Sequence, residues 1–564
     1  MNAKIHYCQP GYAPSAIKRF LVAFSEDASL EAVKFKILDS SSQLVYEGEA
    51  EKLGCCDYTG ELLFRGDFSK VAALGKYQIV LDDFDVKSHL FEISDEWLVR
   101  EAKANIKSFY FQRSGVELPE KFAGKWSRPA AHLDCALEFH PTMERSGLWN
   151  VHGGWYDAGD YGKYIVNGGV SVATLMLACE LRKDSALVGG ESFSESFEQP
   201  ASLLDEVRFE LEFFLRMQDD DGGVFFKVTP YRWDGFVSPV ESDASQKRYV
   251  LGKSTSSALN FAGALAQAHR VYADVDSSFA NKCLVASVRA YLWAEQNPEV
   301  EWPHNTEGSG GYGDPDLGDD FFWARAMLYR ELKSGADVAN CSALGFENIG
   351  SGDVADLLQR IEKQLPSDME AYLPTYGLQW RSTQNLAWFA LATMGDVASE
   401  LSQKAKMAFK YTADEIMNLC AADPYGLSIR KFIWGSNGDI ANHALTLYLT
   451  SLWFENPQYR TAAMEQIHFV YGMNPVDVSF VTGSAWSSPK HPHHRISHSD
   501  GVEEPVPGLV VGGINEDRQD VHRNPHYLGE ARGMSYADEQ CSFASNEVAI
   551  NWSAPLTAAL LLSV

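Results

Sequence analysis

The chain has 564 residues, of which 45% are hydrophobic and 22% charged, so it predicts a globular protein with a large core and excludes a disordered one. Acidic residues number 76 against 48 lysines and arginines, which gives a formal net charge of -28. Such a surface repels phosphate groups, so neither nucleic acid nor a membrane surface is an expected partner. A neutral or cationic substrate fits this charge, and so does a simple role of acidity in solubility.

Cysteine usage and hydropathy indicate neither a disulfide framework nor a membrane span. The nine cysteines are irregularly spaced and form no C-x-x-C pair, so neither a zinc ribbon nor a dithiol redox site is expected. The N-terminal stretch MNAKIHYCQPGYAPS lacks the apolar run of a signal peptide. We expect a soluble monomer, which is cytoplasmic unless a leader has been removed and the protein is secreted.

Residues 1 to about 93 have the pattern of a β domain. Short segments rich in Val, Phe, Ile and Tyr are separated by turn residues, and VKFKI (33 to 37) alternates apolar and polar side chains. This spacing predicts a small antiparallel sandwich.

From about residue 97 the apolar period changes from two to about 3.6. In ASLLDEVRFELEFFLRMQ (201 to 218), Leu204, Val207, Leu211 and Phe214 share one helical face. Similar stretches predict about twelve helices, the last of them over 543 to 562. The predicted loops between them are long and aromatic, notably 113 to 164, 219 to 252, 296 to 319 and 473 to 541. Loops of this length are usually functional, so we expect a helical scaffold with aromatic loops on one face.

The stretch GGWYDAGDYGKY (153 to 164) places two carboxylates three residues apart in a glycine-containing turn. Glycoside hydrolysis uses two carboxyl groups, one as acid and one as base or nucleophile. Asp157 and Asp160 can converge on one water, with Asp160 as the base. Glu547 opens an apolar helical run, where burial would raise its pKa and suit it to be the acid. An ordinary carboxylate favoured by the helix dipole is the simpler interpretation of Glu547.

Aromatic residues are concentrated in the same loops. Indole and phenol rings cover the apolar faces of sugars, although core packing is the commoner explanation for any one ring. Their concentration beside carboxylates favours a carbohydrate cleft. The rings are Trp149, Trp155, Tyr156, Tyr161, Tyr164, Trp233, Tyr312, Trp380, Trp434 and Trp486.

Together these motifs resemble glycoside hydrolase family 9, the inverting cellulase family, in the subgroup with an N-terminal Ig-like domain. QPGYAPSAIKRFLVAF (9 to 24) is similar to the opening strand motif of that domain, and FYFQRSGVELPEKFAGKWSRPAAH (109 to 132) to the start of the barrel. YGMNPVDVSFVTGSAWSSPKHPHHRISH (471 to 498) and YADEQCSFASNEVAINWSA (536 to 554) resemble the two signatures of the family.

The resemblance implies a multidomain fold and a role for each matching residue. The fold is an Ig-like β-sandwich over 1–93 followed by an all-α (α/α)6-barrel catalytic domain over 97–564. Asp160 becomes the general base, Asp157 its water-holding partner and Glu547 the general acid. The implied substrate-binding residues are Tyr156, Trp434, His493, Arg495 and Trp552, the last standing where many members have Tyr. A transition-metal site built from His491, His493, His494 and His498 is the alternative interpretation of HPHHRISH.

No cofactor is implied for catalysis, and zinc is not expected. Members with this Ig-like domain often bind zinc through two cysteines and histidines. Here the corresponding positions are Arg113-Ser114-Gly115 and Ala131-His132, without either thiolate, although His132, His140 and His152 lie nearby in the sequence.

The loop YGDPDLGDDFFW (312 to 323) resembles a loop that binds calcium in some relatives. The resemblance implies a structural calcium ion on Asp316, Asp319 and Asp320. An acidic loop ahead of a helix N-terminus, where carboxylates are favoured in any case, is the alternative.

The implied activity is endo-β-1,4-glucanase action on a soluble cellulose-type glucan, since no separate cellulose-binding module is visible. The alternative is exo-action on short oligosaccharides, either as a cellodextrinase or β-glucosidase or as an exo-β-glucosaminidase. Segments 183 to 200 and 499 to 508 are then candidate blockers of one end of the cleft. A sugar-binding protein without catalysis is disfavoured, because all three carboxylates and the His493-x-Arg495 pair are present.

Overall fold

The computed structural model describes residues 2–25, 30–189, 202–302, 306–336, 351–365 and 378–564. Most of the predicted blocker 183 to 200 therefore lies outside the described residues. The chain forms two compact units: the first contains residues 1–108 and 413–564, and the second residues 109–412. Within the described ranges, no helix is long and apolar enough to cross a membrane.

The N-terminal part of the first unit is rich in β-strands. Its described residues form β1 (Ala3–His6), β2 (Gly11–Tyr12), β3 (Arg19–Phe24), β4 (Ala32–Asp39), β5 (Leu44–Cys55), β6 (Leu62–Asp67), β7 (Gly75–Leu81), β8 (Val86–Lys87) and β9 (Phe91–Ile93). The strands pair in the order β1-β3-β6-β5-β4-β7-β9-β2, with β8 on β7. In this sheet only β2 and β9 pair in parallel, so the predicted antiparallel β domain is confirmed for these residues apart from that one pair.

The alternation along β4 shows why this region forms a sheet. Val33, Phe35 and Ile37 are buried, while the residues between them are more exposed. The Phe35 ring packs edge-on against Phe20 of β3, with 4.9 Å between ring centroids. On β6, a Cβ at Gly66 would lie 2.2 Å from the Phe20 ring, so only glycine fits opposite it. The period of two predicted from VKFKI is therefore the period of the folded sheet.

Twelve long helices and four short ones occupy the described part of the chain. They are α1 (Trp97–Phe111), α2 (Glu120–Ala123), α3 (Ile165–Leu181), α4 (Leu203–Arg216), α5 (Pro239–Ser245), α6 (Thr255–Tyr272), α7 (Ser277–Gln296), α8 (Gly318–Lys333), α9 (Ser351–Gln364), α10 (Gln384–Ala392), α11 (Ser399–Ala422), α12 (Ser436–Ser451), α13 (Pro457–Val470), α14 (Arg495–Ser499), α15 (Phe543–Asn546) and α16 (Ile550–Ser563). The predicted number of long helices is confirmed for the described residues.

Helix α6 is the centre of the helical packing in the second unit. It contacts α3, α7 and α8, and nearly all of its side chains are buried. A Cβ at Gly263 would lie 2.7 Å from the Trp323 indole of α8, so this glycine permits close helix contact. The side chain of Ser254 caps the helix by accepting the N–H of Ser257 at 3.1 Å.

Two predicted loops of the second unit contain a small sheet that the sequence analysis missed. Its strands are β10 (Leu137–Phe139), β11 (Leu148–Trp149), β12 (Lys163–Tyr164), β13 (Phe225–Pro230) and β14 (Arg248–Lys253), in the order β11-β10-β14-β13-β12. Nearly every residue of β13 and β14 is buried, so these strands show no alternation of polar and apolar residues. Strand β12 directly follows the paired aspartates and holds that turn against the sheet.

Residues from both ends of the chain contact each other within the first unit. Arg19 of β3 forms an ion pair with Glu465 of α13 at 2.6 Å. The Tyr58 hydroxyl donates to Asp423 at 3.1 Å, and the Tyr425 hydroxyl donates to a carboxylate of the β domain. Helix α12 packs against both α13 and α16 in the same unit. The β domain and the last helices therefore belong to one folded body.

Candidate active site

Two glycines shape the turn that carries the paired aspartates. Gly153 and Gly154 have φ angles of 81° and 80°, which side-chain-bearing residues rarely adopt. A Cβ on Gly154 would lie 2.6 Å from the Phe213 ring. This close approach brings the Trp155 N–H to the Glu210 carboxylate at 2.6 Å. The chain therefore enters the aspartate segment in a fixed direction.

Asp157 is held by two hydrogen bonds and titrates near neutral pH. Its Oδ1 accepts from Asn167 at 2.7 Å, and its Oδ2 accepts from the Tyr312 hydroxyl. Burial raises the pKa of Asp157 to about 7, and the charge of Asp160 acts in the same direction against both hydrogen bonds. Asp160 is also buried, with 8% of its surface exposed. The turn thus presents two buried carboxyl groups that interact electrostatically.

Three residues around this pair are absent from the predicted site. Asn167 and Tyr312 hold Asp157, and Lys227 of β13 donates to Gly310 O at 2.9 Å. Burial lowers the pKa of Lys227 to about 7, although the negative charge of Asp160 opposes this. In the sequence Tyr312 appeared as one of many loop aromatics and as the first residue of the calcium-type loop, without a link to Asp157. Asn167 and Lys227 lie within a helix and a strand and carried no signal.

Tyr156 was predicted to bind substrate, but the structure places it in the core. Its side chain is fully buried, and its hydroxyl forms a hydrogen bond with His132 Nδ1 at 2.8 Å. Trp155, Tyr161 and Tyr164 are buried as well. A ring with no exposed face cannot stack on a sugar. The aromatic residues of GGWYDAGDYGKY therefore support the aspartates from inside the protein.

The loop before α8 brings three carboxylates together, but not the predicted three. Oxygens of Asp314, Asp319 and Asp320 lie within 4.8 Å of one another. Asp316 is exposed and instead accepts the N–H of Gly318 at 3.0 Å, so Asp314 replaces Asp316 in the candidate calcium site. The sequence resemblance did not identify which aspartates of the loop turn inward.

The chemistry of this cluster fits a divalent cation. The Oδ2 atoms of Asp314 and Asp320 are buried and have no hydrogen-bond partner among the described residues. Burial raises the pKa of Asp314 to about 6 and raises the pKa of Asp320 well above its ordinary value. Uncompensated carboxylate oxygens that approach one another are the ligands that calcium prefers. Within the cluster, Asp319 also accepts a hydrogen bond at 2.6 Å from the N–H of Thr383, the residue before α10.

Glu547 lies in extended backbone between two helices, which corrects the predicted continuous helix over 543 to 562. Helix α15 ends at Asn546, α16 begins at Ile550, and Glu547 has φ -70° and ψ 153°. Its carbonyl accepts the Gly512 N–H at 2.8 Å, and its backbone forms a β-bridge with His493. These long-range pairings override the local helical pattern. The side chain is half-buried and lies outside the first turn of α16, so the helix-dipole interpretation is also wrong.

His493 is a neutral imidazole with a defined tautomer. Its Nδ1 donates to Gln540 O at 2.6 Å, which leaves Nε2 as the acceptor. Burial lowers the pKa of His493 to about 4. Arg495, two residues later, begins α14 and is buried with 5% of its surface exposed. Among the described residues, the histidines of HPHHRISH do not form a group that could hold a metal ion, so the structure gives the transition-metal alternative no support.

Trp434 and Trp552 lie around a glycine at the start of α12. Gly435 has a φ of 82°, and a Cβ there would lie 2.3 Å from Trp552 Nε1. The Trp552 indole therefore rests directly on this backbone. Trp434 is 41% exposed and packs against Phe543, with 5.3 Å between ring centroids. The first unit thus presents an open indole close to a half-buried one, an arrangement suited to sugar faces.

The segment that resembles a zinc site in other members is occupied by internal contacts. Arg113 forms a buried ion pair with Glu206 at 2.6 Å. Both ring nitrogens of His132 make hydrogen bonds, the second with Ser242 Oγ at 3.1 Å, and burial lowers the pKa of His132 to about 2. Zinc remains unexpected at this position for the reason drawn from the sequence, namely the missing thiolates.

Known proteins match the chain over nearly its whole length. Residues 101–560 match the profile described as Glycosyl hydrolase family 9, and residues 2–85 match the one described as Cellulase N-terminal ig-like domain. The chain is 33% identical to the xyloglucan-specific endo-beta-1,4-glucanase BoGH9A of Bacteroides ovatus, over 99% of this chain and 93% of that protein. It is 29% identical to a cellodextrinase of Butyrivibrio fibrisolvens, over 99% of both chains.

A solved structure agrees with these matches. The crystal structure of a metagenome-derived glycoside hydrolase family 9 endoglucanase has a TM-score of 0.86 at 29% identity, covering 100% of this chain and 99% of the other. Fold and matches together define a glycoside hydrolase, so the prediction of an enzyme is confirmed. The chain belongs to glycosyl hydrolase family 9 and carries an N-terminal Ig-like domain. The predicted fold class, an Ig-like sandwich followed by an (α/α)6-barrel domain, is confirmed too.

Proposed function

We propose that the protein is an inverting, endo-acting β-1,4-glucanase. The observation that carries this proposal is the buried Asp157–Asp160 pair in a chain of this family. The names of the xyloglucan-specific relative and of the metagenome-derived structure, both endo-acting glucanases, support it. An inverting hydrolase needs a base that activates water and an acid that protonates the leaving oxygen.

Asp160 is the proposed general base and Asp157 its partner. Each carboxylate accepts one hydrogen of the same water, and Asp160 takes the proton as the water oxygen attacks the anomeric carbon. Asn167 and Tyr312 orient Asp157 through its two oxygens, each of which keeps a second lone pair for the water. Protonation of Asp157 removes its negative charge and turns one of its two acceptor oxygens into a donor, so its raised pKa sets the acidic limit of activity.

Glu547 is the proposed general acid, which protonates the glycosidic oxygen as the bond breaks. Its half-buried carboxyl group follows the short helix α15, and its backbone is fixed beside that of His493. His493 accepts a sugar hydroxyl at Nε2, and Arg495 offers a planar set of donors to other hydroxyls. Trp434 supplies the apolar surface on which a sugar ring stacks.

A second candidate is exo-action on short oligosaccharides. The relative named cellodextrinase, which aligns over 99% of both chains, favours it. Because the chain has a net charge of -28, it would attract cationic glucosamine oligomers, which are therefore included among the candidate substrates.

A time course of products from cellohexaose and from chitosan hexamer separates the two candidates. Endo-action gives mixed products of two to four glucose units, whereas exo-action releases single units and the preferred hexamer identifies the sugar. Glu547→Gln should lose at least about 100-fold in kcat. Glu539→Gln, the same change at a surface residue paired with His526, should leave the rate unchanged. Retained activity in Glu547→Gln, or products of retained anomeric configuration by NMR, would contradict the proposal.

We also propose that Asp314, Asp319 and Asp320 hold a structural calcium ion. The cation would offset the negative charge of three carboxylates whose oxygens lie close together. Asp320 also accepts from Asn260 of α6 at 2.6 Å, so the cluster joins elements from separate parts of the second unit. Tyr312, whose hydroxyl donates to Asp157, lies in the same loop. A cation that orders this loop would therefore also help to position Asp157.

A further inference from the structure

A groove on the first unit contains an exposed tryptophan that the proposed reaction does not use. Its volume is about 730 Å³, and it is lined by parts of β7, β8 and β9, the start of α1, and residues 484–486. Pockets that take small ligands have volumes of about 300 to 1,000 Å³. The groove is therefore large enough for a short stretch of a linear ligand.

Trp486 is held rigidly in the wall of this groove. Its indole stacks on the His89 ring, with 4.1 Å between centroids and 26° between planes. Its Nε1 donates to the hydroxyl of buried Tyr7 at 3.1 Å. The side chain nevertheless keeps 45% of its surface exposed. A fixed, open indole loses little conformational entropy when a ligand covers it.

The other groove residues offer hydrogen-bonding groups around the indole. Lys76, Gln78 and Lys87 provide donors, and Glu92 provides an acceptor. Leu90, which is 51% exposed, adds apolar surface. Sugars carry hydroxyl groups at their edges and apolar C–H faces, so they need this combination of ring, aliphatic surface and polar groups.

The charges lining the groove are mixed, because the exposed lysines Lys76 and Lys87 accompany the ion-paired Arg100 and Glu92. Arg100 forms an ion pair with Glu92 at 2.6 Å and another with Glu101 at 3.3 Å. The chain as a whole carries a formal charge of -28, which repels phosphate-bearing or polyanionic molecules. A neutral chain with hydroxyl groups is the ligand that fits both the aromatic wall and this electrostatic setting.

We propose that this groove is a second, noncatalytic binding site for a neutral β-linked glucan chain, with Trp486 as its platform. The inference goes beyond the proposed activity, because it requires no chemistry at the groove. A site of this kind holds a long polysaccharide on the enzyme and raises its local concentration. It contributes nothing to the cleavage of oligosaccharides too short to reach it.

The first test compares Trp486→Ala with Leu74→Ala, which removes an even more exposed apolar side chain from the β domain outside the groove. Electrophoresis in gels containing hydroxyethylcellulose measures binding. Trp486→Ala should bind at least about tenfold more weakly, as expected for loss of a central aromatic contact. Leu74→Ala should bind like wild type. Equal retardation of both variants would overturn the proposal.

Kinetics and charge controls complete this test. Trp486→Ala should raise KM for hydroxyethylcellulose and leave the rate on cellotetraose unchanged, so the result is independent of whether the catalytic assignment holds. Lys76→Ala/Lys87→Ala removes two exposed donors and should weaken binding without threatening the fold. Retardation that occurs only with carboxymethylcellulose and disappears in 0.5 M salt would reveal simple charge attraction and would overturn the proposal.

A second measurement detects binding at Trp486 directly, without comparing the stability of variants. With ¹⁵N-labelled tryptophan in the Glu547→Gln protein, the indole N–H signal of Trp486 is identified through Trp486→Phe. Titration with cellohexaose should shift this signal along a saturable curve. An unchanged signal at saturating cellohexaose, while other indole signals respond, would refute a glucan site in the groove.

Discussion

Removal of the Tyr312 hydroxyl tests the assignment of Asp157 most directly. The hydroxyl donates to Asp157 Oδ2 and lowers the pKa of a carboxyl that burial has raised to about 7. A hydrogen bond to a charged group contributes about 1.5 to 3 kcal/mol. At about 1.4 kcal/mol per pH unit, Tyr312→Phe should move the acidic limb of kcat/KM upward by about one to two pH units. The sign follows because the lost donor stabilised the ionised form.

The assay is the pH profile of cellohexaose hydrolysis between about pH 4 and 9. Tyr164→Phe is the matched control, because the Tyr164 ring packs on Tyr312 at 4.9 Å but its hydroxyl donates to Gly310 O at 2.8 Å. The control should leave the acidic limb in place. An unmoved limb in Tyr312→Phe, or an equal displacement in both variants, would refute the role of Asp157 as an ionised partner of the base.

Three further predictions concern metal binding, stability and the tryptophan pair. In EDTA the melting temperature should fall as pH rises from about 5 to 7, because burial raises the pKa of Asp314 to about 6 and so opposes its ionisation in the folded protein. Added calcium should restore the melting temperature, most strongly at pH 7. A melting temperature that does not depend on calcium would contradict the site. Glu206→Gln removes the carboxylate charge paired with buried Arg113 and should cost about 3 to 5 kcal/mol in urea unfolding, whereas a loss below about 1 kcal/mol would contradict the burial argument. Gly435→Ala puts a Cβ 2.3 Å from Trp552 Nε1 and should lower kcat/KM on cellohexaose about tenfold or more, and wild-type kinetics would show that this indole is not used.

Much of the scaffold could be predicted from local sequence periodicity. The alternation through Val33, Phe35 and Ile37 and the helical face of Leu204, Val207 and similar residues both reappear in the structure. Strands β13 and β14 were missed because burial on both faces removes the alternation that identifies a strand. The interruption at Glu547 was missed because it results from pairing with residues distant in the sequence.

The site was predictable where a motif specifies backbone shape, and less so where packing decides. The glycines of GGWYDAGDYGKY indicated a turn, and Asp157 and Asp160 are indeed buried together in it. The motif could not show that Tyr156 points into the core. It also could not show that Asp314 turns inward while Asp316 faces solvent, since both orientations fit the same acidic loop. Lys227 entered the site only through sheet pairing, with its partner Tyr164 on β12.

The joining of both chain ends in the first unit has a consequence for how the protein is made. The partners of Arg19 and Tyr58, which are Glu465 and Asp423, are synthesised only after residues 109–412. At about 5 to 20 residues per second, translation of that segment takes about 15 to 60 s. During this interval the β domain exposes surface that its partners later cover. The newly made chain therefore passes through a stage in which it depends on chaperones or on the intrinsic stability of its nine strands, and truncation near residue 412 should produce an aggregation-prone protein.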